Sequence, residues 1–179
     1  QCEIGERDVE FDHIAISATN LDEGVRALET ALGVTLAPGG RHDHMATHNR
    51  LLSLGPGEYL EVIAPDPAQP APAWPRWFNL DRFSGVPRLT NWVLRTDDLD
   101  AALAAGPDGA GRPTDLQRGE YRWRMAIPET GILPFDDAFP ALIQWQGAHP
   151  ANSLPDVGGR LHRLTITPPD AATPRATLK

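Results

Sequence analysis

Residues 11–18 read Phe-Asp-His-Ile-Ala-Ile-Ser-Ala, a short run of mostly apolar residues that predicts a β-strand. Thr19 or Asn20 can cap the helix that follows, and Gly33 ends it. Between the cap and the end, four apolar residues are spaced for one helical face: Leu21, Val25, Leu28 and Leu32. This strand and helix form the opening unit from which the rest of the fold is predicted.

Three more segments complete the first unit. Ala37-Pro-Gly-Gly40 predicts a turn. Residues 47–54 and 58–64 predict two strands, and the hairpin signal Gly55-Pro-Gly57 separates them. Residues 11–65 therefore predict the order β-α-β-β-β.

The same order of elements starts again in the second half. It predicts a strand, a short helix and two more strands, at residues 89–96, 99–105, 121–127 and 141–146. Ala18-Thr-Asn-Leu-Asp22 aligns with Thr96-Asp-Asp-Leu-Asp100, an offset of 78 residues from 18 to 96. The agreement of motif and element order indicates an internal repeat.

The repeat predicts one α+β domain with a tail before it and an extension after it, with limits 1–10, 11–150 and 151–179. Within the domain, module one spans 11–65 and module two spans 89–150. The linker 66–88 joins them and begins with a stretch rich in proline and alanine. Residues 161–167 resemble the opening strand and predict an extra strand on a sheet edge.

Composition narrows the range of partners and locations. The 179 residues carry a formal net charge of −8, which disfavours nucleic acid and anionic membrane surfaces as partners. The one cysteine, Cys2, cannot form an internal disulfide, and a reducing cytoplasm is the expected location. No apolar run reaches the ~20 residues of a membrane helix. A small molecule is the predicted partner.

A series of motifs resembles one protein family. The first half contains Asp12-His-Ile-Ala-Ile16, Leu-Gly-Val34, Pro-Gly-Gly-Arg-His42, Thr-His-Asn49 and Tyr-Leu-Glu-Val-Ile63. The second half contains Trp-Val-Leu-Arg-Thr-Asp97, Tyr-Arg-Trp-Arg124 and Leu-Ile-Gln-Trp145. Together they resemble the glyoxalase-like domains of the vicinal-oxygen-chelate superfamily, the glyoxalase, bleomycin-resistance and dioxygenase type. The resemblance covers residues 9–170.

The resemblance implies a fold and a set of functions. Paired βαβββ modules would form a U-shaped mixed sheet around a cavity. Enzymes of the superfamily often hold a divalent metal with side chains from the first and last strand of each module. They include lyases, epimerases, extradiol dioxygenases and thiol transferases, while other members bind antibiotics without a metal. One fold hosts many functions, so the reaction has to be inferred from the site.

His13 and Glu61 are the main candidate site residues. Side chains alternate along a strand, so two sets are expected to share a face: Phe11, His13, Ala15 and Ser17, and Tyr59, Glu61 and Ile63. An imidazole and a carboxylate inside a cavity could bind one divalent ion such as Zn, Mn, Fe, Ni or Mg. Alternatively, they form a buried hydrogen-bonded pair without metal. Glu61 could also act as a general base, with a pKa raised by burial.

The second half offers weaker donors at the matching positions. Asn91 lies opposite His13 at the offset of 78 residues, from 13 to 91, and Gln144 lies opposite Glu61. We predict Gln144 as a third metal ligand and Asn91 as a substrate-binding residue. Amides are weaker ligands than imidazole or carboxylate, so a metal-free ligand pocket remains the alternative.

Further candidates come from a histidine-rich segment and from aromatic strands. His42, His44 and His48 are close in sequence, and they form either part of a site or a polar surface loop. We select His42 as a catalytic residue, since it starts the expected second strand. Four residues complete the predicted substrate-binding set: Asn49, Trp123, Arg124 and Trp145.

Two functions follow from these candidates. The first is an enzyme of the vicinal-oxygen-chelate type, a lyase, isomerase or dioxygenase acting on a small oxygen-bearing substrate. Its catalytic residues would be Glu61, His13 and His42. The second is a metal-free protein that binds or sequesters a small ligand. A homodimer could complete the cavity in either case.

Overall fold

The computed structural model describes residues 9–167 and the backbone strand at 176–178. Its helices and strands follow the order β1 (Glu10–Ser17), α1 (Leu21–Leu32), β2 (Ala37–His42), β3 (Thr47–Gly55), β4 (Glu58–Pro65), β5 (Arg88–Arg95), α2 (Leu99–Ala105), β6 (Arg112–Arg118), β7 (Tyr121–Ile127), β8 (Ala141–Trp145), β9 (Leu164–Ile166) and β10 (Ala176–Leu178). Short 3₁₀ segments at Trp77–Arg82 and Pro150–Ser153 lie between strands.

Eight strands form one mixed sheet in the order β2-β3-β4-β1-β5-β8-β7-β6. β1 runs parallel to β4 and antiparallel to β5, and β5 runs parallel to β8. The four central strands are therefore the first and last strands of the two repeats. The predicted α+β fold of paired βαβββ modules with a curled mixed sheet and an extra C-terminal strand is confirmed.

Backbone hydrogen bonds show how the two modules correspond. The Ala18 N–H donates to the Ile63 carbonyl, and the Thr96 N–H donates to the Ile143 carbonyl, both at 2.9 Å. In the same registers, Ala15 pairs with Glu61 and Val93 pairs with Ala141.

The counterpart of Glu61 is therefore Ala141, and the alignment of Glu61 with Gln144 is wrong. Similar apolar neighbours around Glu61 and Gln144 suggested that alignment. The register of β8 on β5 decides the equivalence instead, because it places Ala141 beside Val93.

The helices cover one face of the sheet and the other face is concave. Under the helices lies an apolar core that includes Ile14, Leu52, Val62, Trp92, Leu94 and Leu142. The concave face carries a second cluster that includes Ala15, Ile63, Val93, Trp123, Met125 and Ile143. This division follows from the alternation of side chains along each strand.

Helix α1 is fixed at both ends and packs closely on the sheet. The Asn20 side chain accepts a hydrogen bond from the Glu23 N–H at 3.1 Å, which satisfies a free donor of the first turn. Gly33 ends the helix in a left-handed conformation with φ of 66°. At Gly24, a Cβ atom would lie 2.7 Å from Cγ1 of Val62, so only glycine allows this approach.

Two edge strands depart from the sequence-based expectation. The segment predicted as a turn at residues 37–40 belongs to β2, where a register shift between Pro38 and Arg41 accommodates the proline. Proline is tolerated there because β2 is an edge strand. β6 was not predicted, since its sequence Arg-Pro-Thr-Asp-Leu-Gln-Arg is mostly polar, as suits the opposite edge.

The C-terminal segment also differs in its pairing. β9 forms a separate two-stranded sheet with β10 and does not extend the edge of the main sheet. The limits of the tail, the modules, the linker and the extension stay predictions, and residues 1–8 of the tail lie outside the described residues. Within the described chain, neither helix combines the length and the apolar character that crossing a membrane requires.

We expect Gly24→Ala to destabilise the fold. A new Cβ atom would lie 2.7 Å from Val62 and 2.8 Å from the Ala18 Cβ, so α1 would have to move off the sheet. Overpacking of this kind costs about 1–3 kcal/mol, which outweighs the ~1 kcal/mol gain in helix propensity. Thermal unfolding should show a lower Tm, while Arg26→Ala on the exposed face of α1 should leave it unchanged. An equal or higher Tm for Gly24→Ala would contradict the close packing.

Candidate functional site

A small polar cavity lies on the concave face, between the central strands. Its volume is about 30 Å³, which is enough for one or two water molecules. Its polar lining consists of His13, His42, Asn49, Tyr59, Glu61 and Arg118, and three tryptophans close it: Trp77, Trp123 and Trp145. The reactive groups of the site therefore sit in a largely water-excluded space.

An irregularity in β1 places two polar residues beside this cavity. The pairing of β1 with β5 shifts between Phe11 and His13, so the strict alternation of side chains is broken. Phe11 packs against the core beneath the helices, which corrects the expectation that it shares a face with His13. Asp12 is fully buried and accepts a hydrogen bond from His13 Nδ1 at 2.6 Å.

Asp12 is also bonded to residues from the second module and beyond. Its Oδ2 atom accepts hydrogen bonds from Trp145 Nε1 at 3.0 Å and from His149 Nε2 at 2.9 Å. Burial alone would raise the pKa of Asp12, but the hydrogen bonds and charges of His13 and His149 outweigh it and hold the pKa far below its usual range. Asp12 is therefore a carboxylate, and it fixes the ring of His13.

Glu61 faces His13 from the neighbouring strand β4. Its Oε1 atom lies 3.4 Å from His13 Nε2, and its Oε2 atom accepts a hydrogen bond from Asn49 Nδ2 at 2.8 Å. The expectation that burial raises the pKa of Glu61 is wrong. Burial does act in that direction, but the hydrogen bond and charge of His13, with help from His42 and Asn49, lower the pKa below its ordinary value.

His13 carries the compensating positive charge. Burial would lower its pKa, yet hydrogen bonds and charge from Asp12 and Glu61 raise the pKa to about 9. Its ring also stacks on Tyr59, with ring centroids 4.3 Å apart. At neutral pH the site therefore holds an imidazolium between two carboxylates, with its Nε2–H directed at Glu61.

His42 lies in the same cavity in a different protonation state. It ends β2, which corrects its expected position at the start of that strand. Its Nδ1 atom lies 3.0 Å from Thr47 Oγ1, and its ring contacts Trp77 and Trp123 edge-on. Burial lowers the pKa of His42 to about 4, so its imidazole is neutral near pH 7.

The other two histidines of the segment do not join the cavity lining. His44 is exposed and stacks on Trp74, and its backbone lies in the turn that follows β2. His48 alternates with Asn49 on β3, so it points to the opposite face of the sheet.

Gln144 and Arg124 lie on the helix-covered face, outside the cavity. The Gln144 side chain donates to the Asp97 carbonyl at 2.6 Å and accepts from the Leu99 N–H at 3.3 Å, which ties it to the start of α2. Arg124 binds Asp100 of α2 at 3.0 Å. Alternation explains both positions, because their strand neighbours, among them Trp123 and Trp145, point into the cavity instead.

Asn91 is buried on β5 but lines a different hollow. This space of about 230 Å³ lies near Asp137 and β9. Neither polar atom of the Asn91 amide has a hydrogen-bond partner among the described residues. Asn91 therefore does not line the cavity that contains His13, where it was predicted to bind the substrate.

The donor set does not match a tightly bound divalent metal. His13 and Glu61 converge, but the positions equivalent to them in module two hold Asn91 and Ala141. Within the described part of the chain, no three His, Cys, Asp or Glu side chains are grouped to hold a metal ion. A zinc site needs three or four N, S or carboxylate donors.

Several site residues were not predicted from sequence. The signal for Asp12 was its position next to His13, since a carboxylate often orients an imidazole. His149 and Arg118 carried no comparable signal, because they come from a loop and from the unpredicted strand β6. Arg118 reaches the site because the curled sheet brings its edge strands β2 and β6 together. His149 reaches it from the segment that follows the central strand β8.

Comparison with known proteins agrees with this architecture. Residues 11–179 match the family described as Glyoxalase-like domain. A hypothetical protein from Staphylococcus aureus shares 17% identity at a TM-score of 0.54, covering 78% of this chain and 59% of that chain. This chain thus spans about three-fifths of that structure.

Two further solved structures also match part of the chain. A hypothetical protein from Bacillus halodurans shows 9% identity and a TM-score of 0.50, covering 79% of this chain and 96% of the other. Methylmalonyl-CoA epimerase from Mycobacterium tuberculosis shows 21% identity and a TM-score of 0.48, covering 78% and 88%. No curated protein matches the chain in sequence. The match over nearly the whole chain, together with the paired βαβββ modules, shows that the protein belongs to the glyoxalase-like domain family.

Proposed function

We propose that the protein is an enzyme that transfers a proton at a carbon atom next to a carbonyl group, as an isomerase or lyase does. The observation that carries the proposal is the buried series Asp12–His13–Glu61 in a cavity on the concave face. It places a carboxylate base and an imidazolium acid side by side. Acid–base catalysis of this kind typically contributes ~10²–10⁴-fold to the rate.

The two groups have complementary roles. The Glu61 carboxylate would accept the proton from the substrate carbon. The electron pair of the broken C–H bond would form a C=C bond, and the π pair of the carbonyl group would move to its oxygen. The Nε2–H of His13 would donate a hydrogen bond to that oxygen as negative charge develops on it. Delivery of that proton by Glu61 to a different carbon atom of the conjugated enolate completes an isomerisation, whereas loss of a neighbouring leaving group completes an elimination.

The distance between the two groups supports this arrangement. His13 Nε2 and Glu61 Oε1 are 3.4 Å apart, which is longer than a normal hydrogen bond. A substrate oxygen that enters beside His13 Nε2 can therefore take over as the acceptor of its proton, while the charge of Glu61 stays close to the imidazolium. Asp12 keeps the ring in place during the exchange, since it holds Nδ1 at 2.6 Å.

His42 has a supporting role in the proposal. Because its imidazole is neutral, it can offer a hydrogen bond without adding positive charge to the cavity. Its Nδ1 atom is engaged with Thr47, and its ring lies between Trp77 and Trp123. We assign it to orienting the substrate.

A metal-free binding protein is the second candidate, supported by the aromatic wall of Trp77, Trp123 and Trp145. In that case a ligand would be held without any proton exchange. The two candidates differ in whether Glu61 is needed for chemistry or only for the shape of the cavity. Partnership with a small molecule, assembly into a homodimer and a cytoplasmic location stay predictions.

We expect Glu61→Gln to slow proton exchange strongly. The measurement is proton NMR of small 2-oxo acids and 1,3-dicarbonyl compounds in D₂O, in which enzyme-dependent loss of a C–H signal reports exchange. Removing the base should slow exchange by about 100-fold or more. Glu58→Gln, at the first residue of β4 and outside the cavity lining, is the matched control and should exchange at the wild-type rate. Unchanged exchange in Glu61→Gln would favour the binding protein.

The pH dependence of exchange should reflect the state of His13. Exchange should fall as the pH rises through about 9, because the imidazolium then loses the proton it offers to the substrate. Asp12→Asn removes a carboxylate that raises the pKa of His13, so the alkaline limb should move to lower pH. A limb that stays in place in Asp12→Asn would contradict the role of His13.

Stability should follow the same ionisation. The pKa of His13 is raised in the folded state from 6.5 to about 9, so its contribution is complete below pH 6.5 and is lost as the pH rises to about 9. Chemical denaturation between these values should therefore show a falling free energy of unfolding. His13→Gln should remove this part of the pH dependence.

Metal content separates this proposal from a metal-dependent enzyme. With only His13 and Glu61 as strong donors, we expect purified protein to contain substoichiometric amounts of Zn, Mn, Fe, Ni and Mg. Prolonged chelation should leave the exchange rate unchanged. One equivalent of metal, together with loss of exchange on chelation and recovery on its return, would support the predicted metal ligands instead.

A further inference from the structure

Arg118 connects the cavity with a second, larger hollow. It ends β6, and its Nη1 donates a hydrogen bond to Asn49 Oδ1 at 2.8 Å. The same arginine lines a groove of about 830 Å³ beside the cavity. The groove runs along the edge of β2 and the segment that follows β8. Among the described residues, Arg118 is thus the one charged side chain that lines both spaces.

The position of Arg118 depends on close contact with β2. At Gly40 a Cβ atom would lie 2.6 Å from Cδ of Arg118, so a larger residue would push the arginine away. The N–H of Gly40 also donates to Asn49 Oδ1, at 3.0 Å. Asn49 is therefore held by two donors on one side and by Glu61 on the other.

Within the described part of the chain, Arg118 uses little of its hydrogen-bonding capacity. A guanidinium has five N–H donors, and the Asn49 bond uses one of them. No carboxylate of the described residues lies within ion-pair distance of Arg118. The side chain is half-buried, with its guanidinium carbon 5.5 Å from the ring centroid of Tyr121. A half-buried arginine with free donors at a cavity mouth is suited to bind an oxyanion in bidentate geometry.

The two spaces differ in size and lining. The cavity of about 30 Å³ can accept little more than the reacting atoms, so the rest of a substrate has to lie elsewhere. The groove of about 830 Å³ is within the range of small-molecule sites. Its walls are mainly apolar, with contributions from Leu36, Pro38, Leu51, Leu154 and Val157.

We propose that the substrate is an amphipathic organic acid whose carboxylate binds Arg118 and whose apolar part lies in the groove. Its reacting carbon and carbonyl would enter the cavity beside His13 and Glu61, so this inference rests on the function proposed above. The guanidinium of Arg118 would bind the carboxylate, and the apolar groove would bind the tail. The site should therefore prefer an acid with an apolar tail to a neutral carbonyl compound.

Calorimetric titration with a series of 2-oxo acids of increasing tail length, up to 4-phenyl-2-oxobutanoate, tests the proposal. The amide of the longest member is the uncharged probe, and the corresponding alkyl phosphates test the other oxyanion. In Arg118→Met, the Kd of the acid should rise by about 10–100-fold, since hydrogen bonds to charged groups contribute ~1.5–3 kcal/mol. The Kd of the amide should change little.

Three variants serve as comparisons. Arg122→Met removes an exposed arginine of the neighbouring strand, so the Kd of the acid should stay at the wild-type value. Arg118→Lys keeps the positive charge but cannot bind a carboxylate through two parallel N–H donors, so its Kd for the acid should lie between those of the wild type and Arg118→Met. Val157→Asp places a negative charge in the groove and should weaken the long acid more than the short one. A wild-type Tm for each variant confirms that the fold is retained.

Several outcomes would overturn the inference. These are equal loss of acid and amide binding in Arg118→Met, unchanged acid binding in that variant, tighter binding of the phosphates than of the acids, or no binding of any acid at millimolar concentration. Binding is measured without turnover, so the result is independent of catalysis. If Glu61→Gln keeps acid affinity and wild-type protein shows no proton exchange, the proposed reaction fails while the assignment of Arg118 stands.

Discussion

The hydrogen bond between Asp12 and His13 is the contact on which the candidate site depends. A buried carboxylate is costly to take out of water, and it is tolerated only when partners satisfy its oxygens. Asp12 has three such partners, which come from β1, from β8 and from the loop after β8. One side chain thus joins the first module to the second, and it fixes the imidazole at their boundary.

The duplicated modules have become chemically unequal. The central strands bring four equivalent positions to the concave face, and only the pair from module one, His13 and Glu61, carries ionisable groups. Their counterparts, Asn91 and Ala141, are neutral. The charged half of the cavity is completed by Arg118, which reaches it from β6 at the far edge of the sheet. The curvature of the sheet therefore brings Arg118 to the cavity, although the matching of equivalent positions in the two modules would not place a charged group there.

Much of the fold could be predicted from sequence because the strong signals are local. Apolar spacing and a capping residue located α1. The repeated order of elements located α2, whose boundaries were predicted at residues 99–105, as observed. The edge strands β2 and β6 were missed or misassigned because their polar and proline-containing sequences lack a buried face. Pairing with a neighbour forms these strands, and pairing is not visible in a local window.

Side-chain alternation predicted part of the site and failed where register mattered. His13, Glu61, His42, Asn49, Trp123 and Trp145 line one cavity. Gln144 was wrongly predicted to be the counterpart of Glu61, because strand register cannot be inferred from the similarity of two motifs. For the same reason, the sequence did not reveal that Ala141 is the true counterpart. The direction of the Glu61 pKa was also missed, since it depends on partners from β1 and β3 that only the folded chain brings together.

The indole of Trp145 has a consequence for how the protein can be studied. Its N–H group lies 3.0 Å from a carboxylate oxygen of Asp12, which in turn binds the imidazolium. Indole emission responds to nearby charge, so the fluorescence of Trp145, one of the five tryptophans, should change when His13 or Asp12 gains or loses a proton. The molecule therefore contains its own optical reporter, and titration of the buried groups can be followed without attaching a label.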